Sequence, residues 1–374
     1  MQRVGYMLVN CVATLLRIIP LRCRTGLFAL GTPDRTSPVL VTGNYRLTVA
    51  RVKKALQGVD AYLLVAESRG INVWCAATGG LFTHHDIISV LKTSGIEELV
   101  DHRHLILPQL AATGIDTGAI CRKTGWWATW GPVYAHDLPR FIANAMHKTS
   151  PMSGVLFSLS QRLEMAVAWA FPMSLIMGLI TAFLWREALV PLIVLIWGIA
   201  GMTFVLFPWY APWLRPRRRG SAVGRHAILF DIGRGPVMLW LAGMAGLAGV
   251  AACVGTLTWG MLCRWGAVSF MVLLTVSIDI RGSTPVHKSG LHTDRLLAIT
   301  LDTEKCKGAG VCEDVCPRNC HHVDTARHIA SLPHADRCVQ CGACIVQCPF
   351  DALYFTGPGG VVVAHPTTSD GGPG

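Results

Sequence analysis

Cysteines near the C terminus are the residues whose type and spacing most directly indicate chemistry. Of the 14 cysteines in the 374 residues, eight lie between Cys306 and Cys348. A secreted disulfide framework would spread its cysteines along a short chain, so this clustering indicates metal ligation. The last four follow the spacing C-x2-C-x2-C-x3-C-P, in which three thiolates hold one iron–sulfur cluster and the fourth ligates another. A zinc site would have two C-x2-C pairs without the trailing Cys-Pro. We therefore predict iron–sulfur clusters.

The first half of the motif lacks one cysteine, because Ala309 stands at its second position. We expect one [4Fe–4S] cluster to be held by Cys316, Cys338, Cys341 and Cys344. We expect a second cluster to be held by Cys306, Cys312 and Cys348. The second cluster is either [3Fe–4S] or a [4Fe–4S] cluster whose fourth thiolate comes from Cys320. Cys320 could equally be a thiol without a ligand role.

A single thiol in the first third of the chain is the other candidate for chemistry. Cys75 lies in the apolar segment Gly70–Ala77, after a tryptophan and before two small residues. A lone cysteine in an apolar run is most often a packing residue at the end of a strand. Its role therefore depends on the elements around it.

An α/β domain is predicted over residues 36–150. The apolar runs Val39–Thr42 and Tyr62–Ala66 indicate buried strands. The predicted helices are Leu47–Leu56, Thr83–Thr93 with Thr83 as its N-cap, and Asp137–Met146. Strands alternating with helices indicate a mostly parallel, doubly wound sheet, whose ligands lie beyond the carboxyl ends of the strands. Thr42, Asn44 and the segment Asn72–Ala77 all follow or end predicted strands, so we expect them to face one crevice.

The middle of the chain, residues 164–280, predicts a transmembrane region. Hydrophobic residues make up 52% of the chain and charged residues only 15%, which fits a chain that is partly membrane-embedded. A crossing needs about 20 apolar residues. The predicted spans are residues 165–185, 188–207, 236–256 and 259–280. Arg264, the single charge in the last pair, lies near their connecting turn and can reach the membrane interface.

Basic residues concentrate in the loop between the second and third spans, Pro208–Gly235. Lys and Arg exceed Asp and Glu, giving a net charge of +11. No aromatic residues alternate with these charges, so the loop indicates the positive-inside rule rather than nucleic-acid binding. With four spans, both termini share its side. We expect an inner (cytoplasmic) membrane protein whose two soluble domains are both cytoplasmic, where thiols stay reduced.

The remaining segments flank these regions. Residues 1–35 are apolar but interrupted by arginines, and their longest apolar run is too short to span a membrane. This predicts an amphipathic lead-in on the membrane surface, with a signal anchor as the alternative. The cysteine-rich part predicts a small α+β two-cluster ferredoxin domain over residues 300–356, followed by a flexible tail over residues 357–374.

Five short segments of the first domain resemble the membrane corrinoid protein of mercury methylation and, more distantly, the corrinoid iron–sulfur protein. These segments are Thr25–Gly31, Ser37–Tyr45, Gly70–Ala77, His102–Leu110 and Gly131–Tyr134. The C-terminal domain is similar to the two-cluster ferredoxin partner of that family, here fused to the same chain. The resemblance is close over residues 25–150, and it covers residues 301–355 through the ferredoxin motif.

The resemblance implies roles for particular residues. In that family a cysteine on a cap helix ligates corrinoid cobalt, which assigns this role to Cys75, with Asn72 and Trp74 as its cap. A thiolate is a soft, strongly donating ligand. The resemblance also implies that a folate-type methyl donor charges the cobalt, and that the ferredoxin returns the cobalt to its methyl-accepting state with electrons from a low-potential donor.

The sequence also departs from that family. Thr78-Gly79-Gly80 stands where Gly-Lys follows the motif, and no cysteine follows Cys348, whereas the ferredoxin partners end in a cysteine pair. The family is also described with about five spans. These departures indicate a related corrinoid methyl carrier whose acceptor need not be mercury. The alternative is a membrane-anchored iron–sulfur electron-transfer protein that moves no methyl group.

Overall fold

The structure is a computed structural model that describes residues 11–16, 19–214, 235–288, 291, 293–357 and 360–363. The chain divides into two compact units. The first unit contains residues 19–155 together with residues 297–374, so it holds both the α/β domain and the cysteine-rich domain. The second unit contains Leu156–Leu296.

A five-stranded sheet forms the centre of the α/β domain. Its strands are β1 (Gly26–Leu30), β2 (Val39–Gly43), β3 (Ala61–Ala66), β4 (His104–Leu107) and β5 (Trp127–Trp130). They lie in the order β1-β3-β2-β4-β5, and β1 is antiparallel to β3 while the other pairs are parallel. The predicted strands and the mostly parallel pairing are therefore present. The order reverses between β2 and β4, so the carboxyl ends of these strands border the crevice where such sheets bind ligands.

Helices cover both faces of this sheet. They are α1 (Arg46–Ala55), α2 (Val73–Thr78), α3 (His84–Ser94), α4 (Ile96–Leu99), α5 (Thr117–Thr124), α6 (Leu138–Ala143) and α7 (Ser150–Ser153). Alternate strand residues face opposite sides, so Val39 and Leu64 pack in one hydrophobic cluster and Leu40 and Leu63 in another. The capping box predicted at Thr83 is present, with Asp86 as the reciprocal partner.

The sheet begins earlier than the domain boundary predicted at residue 36. Gly26–Leu30 pairs along its whole length with β3, in register from Gly26 with Val65 to Leu30 with Ala61. The predicted lead-in therefore includes an edge strand of the α/β domain. Residues 1–10, the apolar start of that lead-in, lie outside the described residues.

The cysteine-rich domain is a small α+β structure. Its elements are β6 (Ala298–Leu301), α13 (Val311–Val315), β7 (His322–Asp324), β8 (Ile329–Ser331), α14 (Ala343–Val346), β9 (Leu353–Thr356) and β10 (Val362–Val363). The strands pair antiparallel as β10-β9-β6 and as the hairpin β7-β8. The two helices are equivalent by position, because each follows a glycine with positive φ, Gly310 at 79° and Gly342 at 76°. Ala309 thus occupies the place that Cys341 occupies in the second half.

The second unit contains four helices that are long and apolar enough to cross a membrane. They are α8 (Leu159–Leu184), α9 (Leu189–Val205), α11 (Pro236–Val254) and α12 (Trp259–Ser277), and the single turn α10 (Phe207–Tyr210) follows α9. Four apolar helices therefore lie at the positions of the four predicted spans, with the predicted turn between the last two. The basic loop predicted to set the orientation lies largely in residues 215–234, outside the described residues.

Arg264 lies in the second turn of α12, close to the turn that joins it to α11. Its guanidinium carbon is 5.0 Å from the ring centroid of Trp185, which directly follows α8. A cation over an aromatic face at a helix end is typical of the membrane interface, where Trp is enriched. The contact therefore agrees with the predicted interfacial position of Arg264.

Candidate functional site

Cys75 lies on α2, the short helix that follows β3 at the carboxyl edge of the sheet. The Asn72 side chain caps this helix, because its Oδ1 accepts a hydrogen bond from the Cys75 amide at 3.0 Å. Trp74 is 7% exposed and anchors the helix in the domain, whereas Cys75 is only partly buried. The structure thus brings Asn72, Trp74 and Cys75 together and presents the thiol, rather than the indole, on the more accessible side.

Thr78 is the last residue of this helix, and it stands where the Gly-Lys pair follows the motif in the mercury-methylation family. Its Oγ1 donates hydrogen bonds to the carbonyl oxygens of Trp74, at 2.8 Å, and of Cys75, at 3.2 Å. The threonine hydroxyl thus adds a side-chain bond to the last turn of the helix, where the Cys75 oxygen also accepts from the Gly79 amide at 3.1 Å. The departure from the family pattern is accommodated by the backbone of the same helix.

Asn44 holds the loop that leads into α2. It follows β2 and is 1% exposed. Its Oδ1 accepts hydrogen bonds from the amides of Ser68, at 3.0 Å, and Gly70, at 2.9 Å, and from the Ser68 hydroxyl at 3.1 Å. Its Nδ2 donates to Glu67 Oε2 at 3.1 Å. The predicted meeting of the Asn44 turn with the Cys75 segment is therefore present, but Asn44 positions the segment, with its amide groups bonded to protein.

Thr42, which we predict to face the crevice and contact a cofactor there, lies inside strand β2. It is 2% exposed and pairs in register with Val65 of β3. The residues that reach the carboxyl edge are instead Asn44, Ser68 and Gln109, which follow β2, β3 and β4. Sequence reasoning missed Ser68 and Gln109, and the signal that could have found them is their position just after two predicted strands.

The C-terminal cysteines separate into two sets. The three-cysteine set, Cys306, Cys312 and Cys348, lines one recess together with Ala309 and Phe350. The four-cysteine set consists of Cys316, Cys338, Cys341 and Cys344. Within the residues that the structure describes, no group of three or more His, Cys, Asp or Glu side chains converges as a single metal ion would require.

Backbone amides surround the sulfur atoms of both sets. They donate to Cys306 from Ala330 at 3.3 Å and to Cys348 from Ala352 at 3.4 Å. In the four-cysteine set, Cys316 accepts from Cys320 at 3.3 Å and Cys338 from Gln340 at 3.4 Å. Such N–H···S bonds stabilise thiolates, and hydrogen bonds to the sulfurs tune the potentials of iron–sulfur clusters.

Burial opposes thiolate formation at both sets in the absence of a cation. Desolvation raises the pKa of Cys312 to about 11 and raises the pKa of the fully buried Cys344. Iron ions deprotonate coordinating thiols and supply the positive charge that these buried sulfurs need. The donor set therefore fits iron–sulfur clusters.

Cys320 does not lie with the three-cysteine set, contrary to one of the predicted roles. Its thiol is hydrogen-bonded to Cys316 and Cys338, which raises the pKa of Cys320 and lowers the pKa of Cys316 to about 7. Cys320 begins the hairpin that follows Cys316, and the short separation along the chain keeps it on the side of that cysteine. A fourth thiolate for the three-cysteine set therefore does not come from Cys320.

The fold and the cysteines define a protein of two parts, an α/β domain with a thiol at its ligand-binding edge and a ferredoxin-like domain. The family model for the CO dehydrogenase/acetyl-CoA synthase delta subunit matches residues 8–142. The model for the 4Fe-4S binding domain matches residues 333–354, which include Cys338, Cys341, Cys344 and Cys348. A 4Fe–4S domain is thus present at the C terminus, as predicted.

Curated relatives match about a third of the chain. The acetyl-CoA decarbonylase/synthase complex subunit gamma of Methanopyrus kandleri is 36% identical over 125 residues, 33% of this chain and 27% of the relative. The corresponding subunit of Archaeoglobus fulgidus is 36% identical over 116 residues, 30% of this chain and 24% of the relative. The corrinoid/iron–sulfur protein large subunit of Moorella thermoacetica is 29% identical over 125 residues, 33% of this chain and 28% of the relative. The chain thus spans about a quarter of the length of these relatives.

These matches place the N-terminal domain among relatives of corrinoid proteins. The chain combines this corrinoid iron–sulfur protein-like domain with four apolar helices and a 4Fe–4S ferredoxin domain. The predicted relation to the corrinoid iron–sulfur protein is confirmed in this general form. Mercury methylation stays a prediction.

Proposed function

We propose that the chain is a membrane-bound, corrinoid-dependent methyl carrier with its own iron–sulfur reductant. The observation that carries the proposal is the position of Cys75, a partly exposed thiol at the carboxyl edge of a sheet related to corrinoid proteins. A bound corrinoid supplies a cobalt atom that can accept and release a methyl group. In this proposal Cys75 would hold the cobalt through its thiolate, a folate-type donor would supply the methyl group, and an acceptor would take it.

The local contacts support a ligand role for Cys75. The Asn72 cap fixes the first turn of α2, because its Oδ1 accepts a hydrogen bond from the Cys75 amide. Asn44 and Asn72 act as positioning residues, because they hold the loop and the helix that carry the sulfur.

Reconstitution with cobalamin tests the proposal. The full chain is purified in detergent, mixed with cobalamin, and its visible spectrum is compared for wild type, Cys75→Ala and Cys121→Ala. Cys121 is an exposed cysteine on α5 of the same domain, so it serves as the matched control. We expect wild type and Cys121→Ala to share a spectrum that Cys75→Ala changes. Absence of bound corrinoid would refute the carrier role, and a spectrum that ignores Cys75→Ala would refute thiolate ligation alone.

A membrane-anchored electron-transfer protein is the second candidate. It is favoured by the match of residues 333–354 to the 4Fe-4S binding domain, which requires no corrinoid. The same reconstitution separates the two functions, because only the carrier binds cobalamin. Mercury as methyl acceptor has its own test, a methylmercury assay in cells that express the chain. No product beside a working positive control would exclude it.

We also propose that both soluble domains lie on the cytoplasmic side of the inner membrane. The α/β domain and the ferredoxin domain form one compact unit, while the chain between them contains four apolar helices. An even number of crossings returns the chain to the side it left, which supports a shared compartment. A fluorescent-protein fusion at the C terminus would fluoresce if that end is cytoplasmic, and an exported, dark fusion would overturn the orientation.

A further inference from the structure

The ferredoxin domain packs directly on the α/β domain, within the first unit. The loop that follows β4, residues 109–117, contacts it through buried polar groups. Gln347 is 8% exposed, and its Nε2 donates to the carbonyl oxygens of Ala112, at 2.7 Å, and Ile115, at 2.6 Å. Its Oε1 accepts from the Thr117 hydroxyl at 3.2 Å. The whole side-chain amide of Gln347 is thus committed to the other domain.

An ion pair between a buried lysine and a partly exposed aspartate forms the second point of attachment. The Lys148 side chain is 5% exposed, and its Nζ lies 2.7 Å from Asp314 Oδ1. The same Nζ donates to the Asp314 carbonyl oxygen at 2.7 Å and to Gln109 Oε1 at 3.1 Å. A buried ammonium with three acceptors is well compensated, and removing either charge would leave the other unpaired. Lys148 therefore fixes the orientation of the segment that carries Cys316.

Two further contacts favour one of the two cysteine sets, although Gln347 itself directly precedes Cys348 of the other set. The Thr113 hydroxyl donates to the carbonyl oxygen of Cys341, and the Val155 amide donates at 2.9 Å to the carbonyl oxygen of Pro317, which directly follows Cys316. Both cysteines belong to the four-cysteine set. The recess of the three-cysteine set is lined only by residues of the ferredoxin domain, from Leu301 to Leu353. The four-cysteine set therefore faces the α/β domain and the three-cysteine set faces away from it.

The contacted loop leads directly to the helix of Cys75. A Cβ on Gly114 would lie 2.7 Å from the Ala77 carbonyl oxygen, so the loop and α2 touch through their backbones. Ala76, Ala112 and Cys344 belong to one hydrophobic cluster, which also includes Cys312 of the three-cysteine set. Protein contacts therefore run without interruption from the four-cysteine set, through Thr113 and Gly114, to α2.

We propose that the 109–117 loop is the passage by which electrons leave the ferredoxin domain for the cofactor beside Cys75. The four-cysteine set is the output of this built-in reductase, and the three-cysteine set receives electrons from an external low-potential one-electron carrier. Each transfer moves one electron and no proton. A cluster in the four-cysteine set is oxidised by one electron, and corrinoid cobalt is reduced from Co(II) to Co(I). This inference rests on the proposed function for the electron acceptor, which is the corrinoid cobalt. The docking of the ferredoxin domain on the α/β domain does not depend on that function.

The docking is tested without corrinoid. The variants are Thr113→Val, Lys148→Met and Gln347→Leu, alone and combined. Arg35→Met is the matched control, because it breaks an equally short but exposed ion pair with Asp101, at 2.7 Å.

A redox titration monitored by electron paramagnetic resonance (EPR) measures the midpoint potential of each cluster. Ala309→Cys identifies the signal of the three-cysteine set. We expect Lys148→Met, which removes a buried positive charge, to lower the midpoint of the four-cysteine cluster alone. Equal shifts of both clusters, or none in either, would overturn the assignment.

The passage is tested with bound cobalamin. Protein that holds Co(II) is mixed with reduced methyl viologen, and the appearance of Co(I) is followed by stopped-flow absorbance. Loss of buried hydrogen bonds should shift the docked population, so we expect the combined variant to reduce cobalt about tenfold more slowly than wild type or Arg35→Met. Equal rates would refute the passage. Failure to bind cobalamin would refute the proposed function instead, and the corrinoid-free titration would still judge the docking. If the combined variant does not fold, the cobalt reduction rate of Thr113→Val alone, which removes one hydroxyl, is compared with that of wild type.

Discussion

The side-chain oxygen of Asn44 accepts a hydrogen bond from the amide of Gly70 at 2.9 Å. Gly70 has a φ of 70° and lies directly before the segment that forms α2. Through this bond and two more to Ser68, the end of β2 holds the loop that begins after β3. The position of Cys75 therefore depends on a residue 31 places earlier in the chain that need not touch the cofactor.

Replacing Asn44 with leucine should loosen this loop. Asn44→Leu removes the acceptor of three hydrogen bonds and leaves buried amides without partners, which should cost about 3 kcal/mol of local stability. Hydrogen exchange of residues 68–78, measured by mass spectrometry, should speed up accordingly. Asn144→Leu is the matched control, since Asn144 is exposed and its side chain bonds only to the nearby His147 carbonyl among the contacts described. Unchanged exchange in Asn44→Leu would show that the loop holds its shape without the amide.

Gly114 should tolerate no side chain, because α2 lies against it. A Cβ there would lie 2.7 Å from the Ala77 oxygen and 2.8 Å from the Phe82 oxygen, both in the backbone. Gly114→Ala should therefore displace α2 and destabilise the domain by about 1–3 kcal/mol. The displacement should change the rate at which a thiol reagent labels Cys75, as read by peptide mass spectrometry.

Gly118→Ala provides the comparison for this substitution. A Cβ at Gly118 would meet the Arg122 guanidinium at 2.9 Å, and that flexible group can move aside. We expect Gly118→Ala to leave both stability and Cys75 labelling close to wild type. Similar effects from the two substitutions would show that crowding at the 109–117 loop is not transmitted to α2.

The two cysteine sets predict different responses to substitution. Cys320 lies beside Cys316 and Cys338, two of the four cysteines that are predicted to form a complete ligand set without it. Cys320→Ala should therefore leave the iron content and the EPR spectrum of oxidised protein unchanged. Ala309 lines the recess of the three-cysteine set, so Ala309→Cys should add one iron per chain and abolish a [3Fe–4S] signal. Loss of iron in Cys320→Ala would show that Cys320 is a cluster ligand.

Features encoded in consecutive residues were predictable from the sequence. The spacing from Cys338 to Cys348 indicates iron–sulfur ligation by itself, and uninterrupted apolar runs predict the four long helices. Features that depend on distant partners were not. The strand Gly26–Leu30 is a short apolar run that becomes recognisable only by pairing with β3. The position of Cys320 beside Cys338 and the hydrogen bond from Gln347 to Ala112 both arise from packing between segments that are far apart in the chain.

His104 should make the stability of the α/β domain sensitive to acid. It is 7% exposed, stacks on Trp127 at 3.6 Å between ring centroids, and shares a hydrogen bond with the Thr129 hydroxyl at 2.6 Å. Burial, with a smaller contribution from His102, lowers its pKa from 6.5 to about 4. The folded state therefore favours neutral imidazole. Its contribution is fully present above pH 6.5 and is lost as the pH falls from 6.5 toward 4.

The test compares wild type with His104→Gln at pH 7.5 and at pH 5. Denaturant unfolding of the α/β domain is followed in the full chain, so acid effects on the clusters are common to both proteins. We expect wild type to lose more stability than the variant on acidification, by no more than about 3 kcal/mol. An equal loss in both proteins would mean that His104 takes up its proton without disturbing the fold, and that the bond to Thr129 does not require the neutral ring.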